Sequence, residues 1–302
     1  MLLVKYRKIF YGIAALLALA SIVSILVFGL HLGIDFKGGS ILEVSYQEAV
    51  PDKTLLESRL ASIGLHGFSL RQTGETGFIL RSETLTEEGR GTIIEALSLN
   101  GEFLVAQERF TTVGPIIGEE LRTKAFIAIA VVIFAIILFI TFAFRKVSQP
   151  VSSWKYGLVA ITTLVFDVLI PIGAFAALGY VIGAEVDSLF VMALLAILGY
   201  SVHDTIVVFD RVRENLRLNQ QSSRTEDFEL VVGKSLAQTY VRSINTSMTT
   251  ALALLALFFF GPGATENFAL VLLVGVIIGT YSSIALASPL LVTIQKSSQR
   301  DR

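Results

Sequence analysis

The sequence has 302 residues, of which 53% are hydrophobic and only 16% charged, with a mean hydropathy of +0.71 and a formal net charge of −1. This composition indicates a membrane protein, with room for several spans and one modest soluble domain. The near-neutral charge gives no support to nucleic-acid binding, and the lack of cysteine excludes disulfides, thiolate chemistry and cysteine-ligated metals.

A first apolar stretch, about Ile9–Leu32, follows three basic residues. Such an arrangement occurs in signal peptides and in anchoring helices, and residues 18–20 resemble a cleavage site. Cleavage there would leave an apolar N-terminus, and the whole stretch is long enough to span a bilayer. Residues 1–32 are therefore predicted to form a cytoplasmic N-terminus and a retained transmembrane helix.

Residues 33–122 alternate short apolar runs with amphipathic stretches and predict one small folded domain. The predicted order is strand, helix, strand, strand, helix, strand, at 41–46, 52–63, 68–73, 77–82, 85–97 and 102–113. This β-α-β-β-α-β order is the ferredoxin-like α+β pattern, with one sheet and its helices on one face. Turn-forming residues at 73–77 support the central hairpin.

Residues 123–302 contain five more predicted spans, which makes six transmembrane helices in a polytopic α-helical protein. They lie at about Lys124–Phe144, Gly157–Val181, Ser188–Phe209, Asn245–Phe260 and Phe268–Val292. Lysine and arginine fall on one side of these spans and are missing from the opposite loops around 183–187 and 261–267. The positive-inside rule then predicts cytoplasmic termini and an extracytoplasmic domain between helices 1 and 2.

The predicted cytoplasmic loop, about 211–241, has apolar residues at roughly helical spacing in its second half. This spacing predicts a short amphipathic helix near the membrane surface, with or without a binding role.

Two aspartates fall inside predicted spans, Asp167 in the third and Asp204 in the fourth. An ionised side chain at such a depth costs about 2.5–3.5 kcal/mol on insertion scales, so each must face protein or water. The fifth span begins with a polar stripe along one helical face, formed by Arg242, Asn245, Thr246, Thr249 and Thr250. We expect this stripe to face Asp204 and to form a path for protons or another ion. The alternative is a static polar zipper that only fixes helix register.

His203 is a further candidate because histidine titrates near neutral pH, although adjacent helical residues point about 100° apart. His31 and His66 are isolated, and no H-E-x-x-H spacing occurs, so no metal site is predicted. The Gly-Gly-Ser at 38–40 lacks the lysine of a phosphate loop. We therefore expect neither an ATP-driven protein nor an enzyme.

Four motifs occur in chain order: GIDFKGG at 33–39, VGPIIGEEL at 113–121, GYSVHDTIVVFDRVREN at 199–215 and RSINTS at 242–247. They resemble the signatures of the SecF family, the six-helix subunits of SecDF protein export complexes. The matching motif positions include Gly33, Asp35, Gly38, Gly39, Gly199, Asp210 and Arg211. Two positions depart from the family, since Phe166 stands where histidine is frequent and His203 where asparagine is common. The first departure weakens any proton transfer from Asp167 to residue 166.

The resemblance implies a multi-pass protein of the bacterial cytoplasmic (inner) membrane, related to the resistance-nodulation-division transporters and paired with SecD. It implies no cofactor other than the proton gradient, and use of the proton-motive force to promote translocation of exported preproteins through the SecYEG channel. YajC and YidC are further candidate partners. Asp204 then corresponds to the proton-relay carboxylate and Arg242 to its basic partner. Polar support is expected from Asp167, His203, Asn245, Thr246 and Thr250.

Two other functions remain open at this point. One is a half-size proton-coupled exporter of lipids or small hydrophobic molecules, for which a larger outer domain or a second six-helix repeat is expected. The other is a structural assembly factor of the translocon without coupling, in which Asp204 and Arg242 tolerate neutral replacement.

Overall fold

The computed structural model describes residues 2–47, 49–143, 152–221 and 226–300. The chain divides into two compact units: a helical unit of Met1–His31, Ile127–Glu185 and Leu189–Arg302, and a smaller unit of Leu32–Phe126 with Val186–Ser188. Three residues from far along the chain thus belong to the smaller unit.

The described elements, in chain order, are α1 (Leu2–Lys5), α2 (Arg7–Phe28), α3 (Ile34–Lys37), β1 (Gly39–Tyr46), α4 (Lys53–Ser62), β2 (Ser69–Thr73), β3 (Gly77–Ser82), α5 (Glu87–Leu97), β4 (Val105–Val113), α6 (Pro115–Ala143), α7 (Ser153–Ile182), α8 (Ser188–Gln221), α9 (Phe228–Phe260), α10 (Gly263–Tyr281), a π-helical segment (Ser282–Ala287) and α11 (Ser288–Arg300).

The smaller unit contains a four-stranded antiparallel sheet in the order β2-β3-β1-β4. Alternation along β1 places Leu42, Val44 and Tyr46 on its buried face, where they pack with apolar residues of α4 and α5. Both helices begin with a capping side chain, because Asp52 accepts from the backbone N–H of Thr54 and Thr86 accepts from that of Gly89. The core of this unit therefore lies between one face of the sheet and two helices.

The last strand of the sheet starts three residues later than predicted. Leu99, Asn100 and Gly101 adopt positive φ angles, which extends the turn after α5 and delays β4 to Val105. The boundaries of β1, β2, β3, α4 and α5 differ from the predicted ones by at most two residues. The short helix α3 was not predicted.

The helical unit contains the helices that cross the membrane. Among the described residues, six helices are long and apolar enough to span it: α2, α6, α7, α8, α9 and the helix that runs through α10 and α11. Within this unit α2 packs against α7, and α10 packs against both α7 and α9. The α2–α7 contact depends on Gly173, because a Cβ atom there would overlap Cβ of Ser21.

Several helices depart from their predicted bounds. α6 starts at Pro115 instead of 124, and α2 ends at Phe28 instead of 32. The predicted loop 211–241 is largely helical, since α8 continues to Gln221 and α9 already starts at Phe228. The prediction of a separate amphipathic surface helix is therefore wrong. Its apolar side chains, which include Val231, Val232 and Leu236, are buried against residues of α8. The basic positions 145, 146 and 224 lie outside the described residues.

The sixth span is interrupted by the π-helical segment Ser282–Ala287, all six residues of which are buried. Short π-helical stretches are rare and occur frequently at functional sites. In α7, Pro171 has no N–H, so the backbone carbonyl of Asp167 loses its usual helical donor. Two of the packed spans thus carry irregular backbone hydrogen bonding.

Candidate functional site

Asp204 lies on α8 with 8% of its surface exposed, held between two other elements. The hydroxyl of Ser243 on α9 donates to Oδ1 at 2.7 Å, and the hydroxyl of Ser283 in the π-helical segment donates to Oδ2 at 2.7 Å. Each carboxyl oxygen is therefore bound by a different helix.

Asp167 lies on α7 and is fully buried. Its Oδ2 accepts a hydrogen bond from the hydroxyl of Ser201 on α8. The nearby Ser282 hydroxyl donates to the carbonyl of Gly279 at 3.1 Å. Within the described part of the chain, neither Oδ1 of Asp167 nor the buried hydroxyl of Thr205, one helical turn after Ser201, has a hydrogen-bond partner. Unpaired buried oxygens of this kind are uncommon in folded proteins and mark the site as unusual.

Consecutive serines of the π-helical segment adjoin the two aspartates. The Ser283 hydroxyl donates to Asp204, and the Ser282 hydroxyl lies near Asp167 while it donates to the carbonyl of Gly279. A serine hydroxyl can donate to an ionised carboxylate or accept from a protonated one, so these contacts suit either protonation state. Among the described residues, neither carboxyl forms an ion pair.

A second layer of hydroxyls adjoins Asp204. Tyr200 donates to Ser247 at 3.0 Å, and the Ser247 hydroxyl in turn bonds to Thr280 and to the carbonyl of Ser243. Ser247 and Thr280 are both buried. The polar interior therefore extends through α8, α9 and α10 and is built from hydroxyl groups.

The polar stripe predicted to face Asp204 does not do so. Arg242, Asn245, Thr246 and Thr249 are exposed and Thr250 is half-buried. The hydroxyls of Thr246 and Thr250 donate to carbonyls of their own helix, each at 2.9 Å. The inward face of α9 begins one residue later than the predicted stripe. Ser243 and Ser247 occupy this face, about 100° around the helix from Arg242 and Thr246. His203 is likewise exposed, although Asp204 beside it is buried.

Four serines of the site were missed by sequence reasoning: Ser201, Ser243, Ser282 and Ser283. A usable signal was present, since Ser243 and Ser247 are one turn apart and form a second polar face on the fifth span, and Ser282-Ser283 interrupts the apolar sixth span. Serine is common in membrane helices, however, and its inward orientation depends on how the helices pack.

The GIDFKGG motif lies in the smaller unit and contacts the residues that precede and start α8. The Gly33 N–H donates to the carbonyl of Val186 at 2.8 Å, and the Asp35 carboxylate accepts from both the N–H and the hydroxyl of Ser188. Gly38 has a φ of +80°, and a Cβ atom there would lie 2.8 Å from Cα of Pro115. Gly39 has a φ of +133°, and a Cβ atom there would lie 2.7 Å from the backbone carbonyl oxygen of Ser82. Glycine is required at both positions.

The remaining motif positions lie on the surface of α8. Gly199 and Asp210 are exposed, and Asp210 forms an ion pair with Arg213 at 2.8 Å. Arg211 pairs with Glu214 and donates to Gln238 of α9 at 2.7 Å. These contacts stabilise the extension of α8 and are separate from the buried aspartates. Within the part of the chain that the structure describes, no group of three or more potential metal ligands was found.

Two family profiles match this chain. The profile described as "Protein export membrane protein SecD/SecF, C-terminal" matches residues 94–297, and the "SecD/SecF GG Motif" matches residues 23–50. The second match contains the glycines and Asp35 described above.

Individual relatives give the same result. The chain is 41% identical to the "Protein translocase subunit SecF" of Thermobaculum terrenum, across 96% of this chain and 93% of that protein. It is 32% identical to the "Protein translocase subunit SecDF" of Bacillus subtilis, across 93% of this chain and 36% of that protein. Among solved structures, it superimposes on SecDF of Thermus thermophilus, described as a translocon-associated membrane protein, with a TM-score of 0.82 and 32% identity. That match covers 99% of this chain but only 38% of the solved chain.

Proposed function

This chain belongs to the SecD/SecF family of protein export membrane proteins, and we propose from this membership that it is the SecF-type half of a proton-driven SecDF complex. Its role lies in translocation by the Sec pathway, which makes it a transport component and not a classical enzyme. Coupling to the proton-motive force is the part of the proposal that rests on the site.

The single observation that carries the coupling is the environment of Asp204. It is a buried carboxyl in a membrane-spanning helix, and its two oxygens accept from hydroxyls of two other elements. A hydroxyl remains a suitable partner after the carboxyl takes up a proton, whereas a lysine or arginine partner opposes protonation. Moving one elementary charge through a membrane potential of 100 mV changes the free energy by about 2.3 kcal/mol. This change is enough to shift the balance between two conformations that differ by a few kcal/mol.

The other site residues receive supporting roles. Asp167, bound by Ser201 and adjacent to Ser282, serves as polar support between α7, α8 and the π-helical segment. Arg242, Asn245 and the threonines face outward from this chain. We assign this stripe to the contact with SecD, because polar side chains at membrane depth need protein or water beside them. Arg242 acts as the basic partner of the relay from that contact, without pairing directly with the Asp204 carboxyl.

The membrane arrangement follows from charge and topology. Six spanning helices and the SecF relatives support a multi-pass protein of the cytoplasmic membrane. We propose that both termini are cytoplasmic and that the smaller unit is an extracytoplasmic ferredoxin-like domain. The sheet order β2-β3-β1-β4 with two helices on one face supports the ferredoxin-like assignment, and the distribution of lysine and arginine supports the orientation.

The partner we propose first is SecD. The relatives in Bacillus subtilis and Thermus thermophilus are SecDF chains of which this chain spans 36% and 38%. We propose that SecD supplies what corresponds to the remainder of those chains. SecYEG and the exported preprotein follow as functional partners, with YajC and YidC as further candidates.

The test is preprotein import into inverted membrane vesicles that contain SecD, at a fixed ATP supply, with the proton gradient imposed and then collapsed. Asp204→Asn keeps the size and hydrogen-bonding ability of the side chain but does not titrate. We expect it to abolish the gradient-dependent part of import while assembly with SecD persists. The matched control is Glu214→Gln, which removes an exposed carboxylate from the same helix.

Unchanged gradient-dependent import in Asp204→Asn contradicts the relay and favours the uncoupled assembly factor. Normal protein import together with proton-coupled export of a lipid or small hydrophobic molecule favours the half-size exporter.

A further inference from the structure

We propose that Asp35 is a positioning residue for Asp204, because its carboxylate fixes the first turn of the helix that carries Asp204. The inference rests on the proposed function of Asp204. It assigns to the GG motif a specific mechanical task, which is to hold the start of the proton-binding helix.

Residues 32–35 contact the start of α8 and the residues just before it, and these contacts lie within the smaller unit. Leu32 forms a parallel β-bridge with Val186, and the Gly33 N–H donates to the carbonyl of Val186 at 2.8 Å. Asp35 Oδ2 accepts from the backbone N–H of Ser188 at 2.9 Å and from its hydroxyl. We call residues 32–35 and 186–188 the clasp. A carboxylate at a helix N-terminus satisfies an N–H that has no intrahelical partner and is favoured by the helix dipole.

The Asp35 side of the clasp is itself held firmly. Ile34 and Phe36 on either side of Asp35 are buried. A Cβ atom on Gly118 would lie 2.9 Å from the backbone nitrogen of Gly38, so the turn of α3 is packed directly on the first turn of α6. Asp35 is therefore fixed to the body of the smaller unit, and not to a free loop.

The other side of the clasp leads without interruption to Asp204. α8 runs as one helix from Ser188 to Gln221 and contains no proline. Asp204 lies about 24 Å from Ser188 along the axis, at 1.5 Å per residue. A rotation or shift of the first turn is therefore transmitted along α8 toward Asp204. The clasp accordingly holds the start of the helix that carries the proposed proton carrier.

The chain offers a matched control for this capping chemistry. Asp52 accepts from the N–H of Thr54 at 2.7 Å and from the Thr54 hydroxyl, the same pair of donors that Ser188 presents to Asp35. Asp52 begins α4, which lies inside the smaller unit and carries no residue of the site. Asp52→Ala therefore measures the effect of removing an aspartate cap from a helix other than α8.

The experiment compares Asp35→Ala, Asp35→Asn, Asp52→Ala and Asp204→Asn in the full chain assembled with SecD in vesicles. Hydrogen exchange of the peptide that covers the start of α8 measures whether the clasp is closed. Preprotein import with and without the proton gradient, normalised to the amount of assembled complex, measures coupling. The amide introduced by Asp35→Asn retains an oxygen that accepts from both Ser188 donors, so this variant separates hydrogen bonding from titration.

We expect Asp35→Ala to raise hydrogen exchange at the start of α8 roughly tenfold, the size of a typical capping effect. It should also lose most of the gradient-dependent import and keep the gradient-independent part. Asp35→Asn should retain more than half of the gradient-dependent import, and Asp52→Ala should match wild type in both measurements.

Two results overturn the proposal: full gradient-dependent import in Asp35→Ala, or a defect in Asp35→Asn as deep as in Asp35→Ala. The second result assigns Asp35 to titration instead of positioning. Failure of the proposed function is distinguishable, because it appears as normal gradient dependence in Asp204→Asn, whereas the exchange measurement reports on the clasp in either case.

Discussion

The hydroxyl of Ser283 donates to Oδ2 of Asp204 at 2.7 Å, from within a π-helical segment of the sixth span. Its neighbour Ser282 lies near Asp167, and the Ser282 hydroxyl donates to the carbonyl of Gly279 at 3.1 Å. A π-helix has a wider turn than an α-helix, and here it places consecutive serines beside carboxyls of two different helices. The irregular segment therefore adjoins both buried aspartates and binds one of them, Asp204.

Replacing Ser283 by alanine removes one of the two donors to Asp204. A hydrogen bond to a charged group is worth about 1.5–3 kcal/mol, so we expect gradient-dependent import to fall by roughly tenfold or more. Ser283→Thr keeps the hydroxyl and should retain most of that import. The control is Thr239→Ala, which removes a buried hydroxyl that donates to carbonyls of its own helix α9. Import in Ser283→Ala equal to that of Thr239→Ala contradicts a role for the Ser283 contact.

Asp167 should tolerate replacement by asparagine better than Asp204 does. The amide introduced by Asp167→Asn still offers an oxygen to Ser201, so the helix contacts survive, and a group that supplies only polar support needs no titration. We expect Asp167→Asn to retain gradient-dependent import, measured beside Asp204→Asn in the same vesicles. Asp167→Leu leaves the buried hydroxyl of Ser201 without its acceptor and should lower the unfolding temperature. Loss of import in Asp167→Asn with normal stability places Asp167 in the relay as well.

The close packing of α2 on α7 predicts that Gly173 does not tolerate a larger side chain. Gly173→Ala makes the added Cβ atom overlap Cβ of Ser21, and overpacking of this kind costs about 1–3 kcal/mol. Gly12→Ala is the matched control, because Gly12 lies in α2 with nothing within 4 Å of its added Cβ. Thermal unfolding in detergent should show a lower midpoint for Gly173→Ala alone. Equal midpoints for the two variants contradict the close helix contact.

We expect alkaline pH to destabilise the smaller unit through ionisation of Tyr46. Burial raises the pKa of Tyr46 from 10.0 to about 12, while its hydroxyl donates to the carbonyl of Leu97 at 2.9 Å. Because the folded pKa is the higher one, the folded state holds its proton more tightly than the unfolded chain does. The resulting stability is complete below pH 10.0 and is lost as pH rises through about 12.

The measurement is phenolate absorbance of the full chain, with Tyr46→Phe subtracted to isolate one of eight tyrosines. Tyr46→Phe should also lower stability by about 1 kcal/mol near neutral pH through the lost hydrogen bond, and should show a weaker alkaline decline. A difference spectrum that titrates near pH 10.0 contradicts the burial of this hydroxyl.

Much of the architecture was predictable from local pattern. Apolar stretches of sufficient length marked six spans, because a bilayer admits a helix only when about 20 residues in a row avoid water. Alternation in residues 41–46 and helical periodicity around residues 52–63 indicated strand and helix because those periods place apolar residues on one face. Asp204 was identifiable as a candidate site residue because a carboxyl inside an apolar span is costly wherever it lies.

The partners of Asp204 were decided by tertiary structure alone. The sequence shows two polar faces on α9, one with Arg242 and Asn245 and the other with Ser243 and Ser247, and both have helical spacing. Which face turns inward depends on the rotation of α9 against α8 and α10, a property of packed helices that no single helix encodes. The same holds for Asp35 and Ser188, which are 153 positions apart in the chain and meet only when the chain between them has folded. Composition and period determine which residues must be buried, and three-dimensional packing determines what each of them touches.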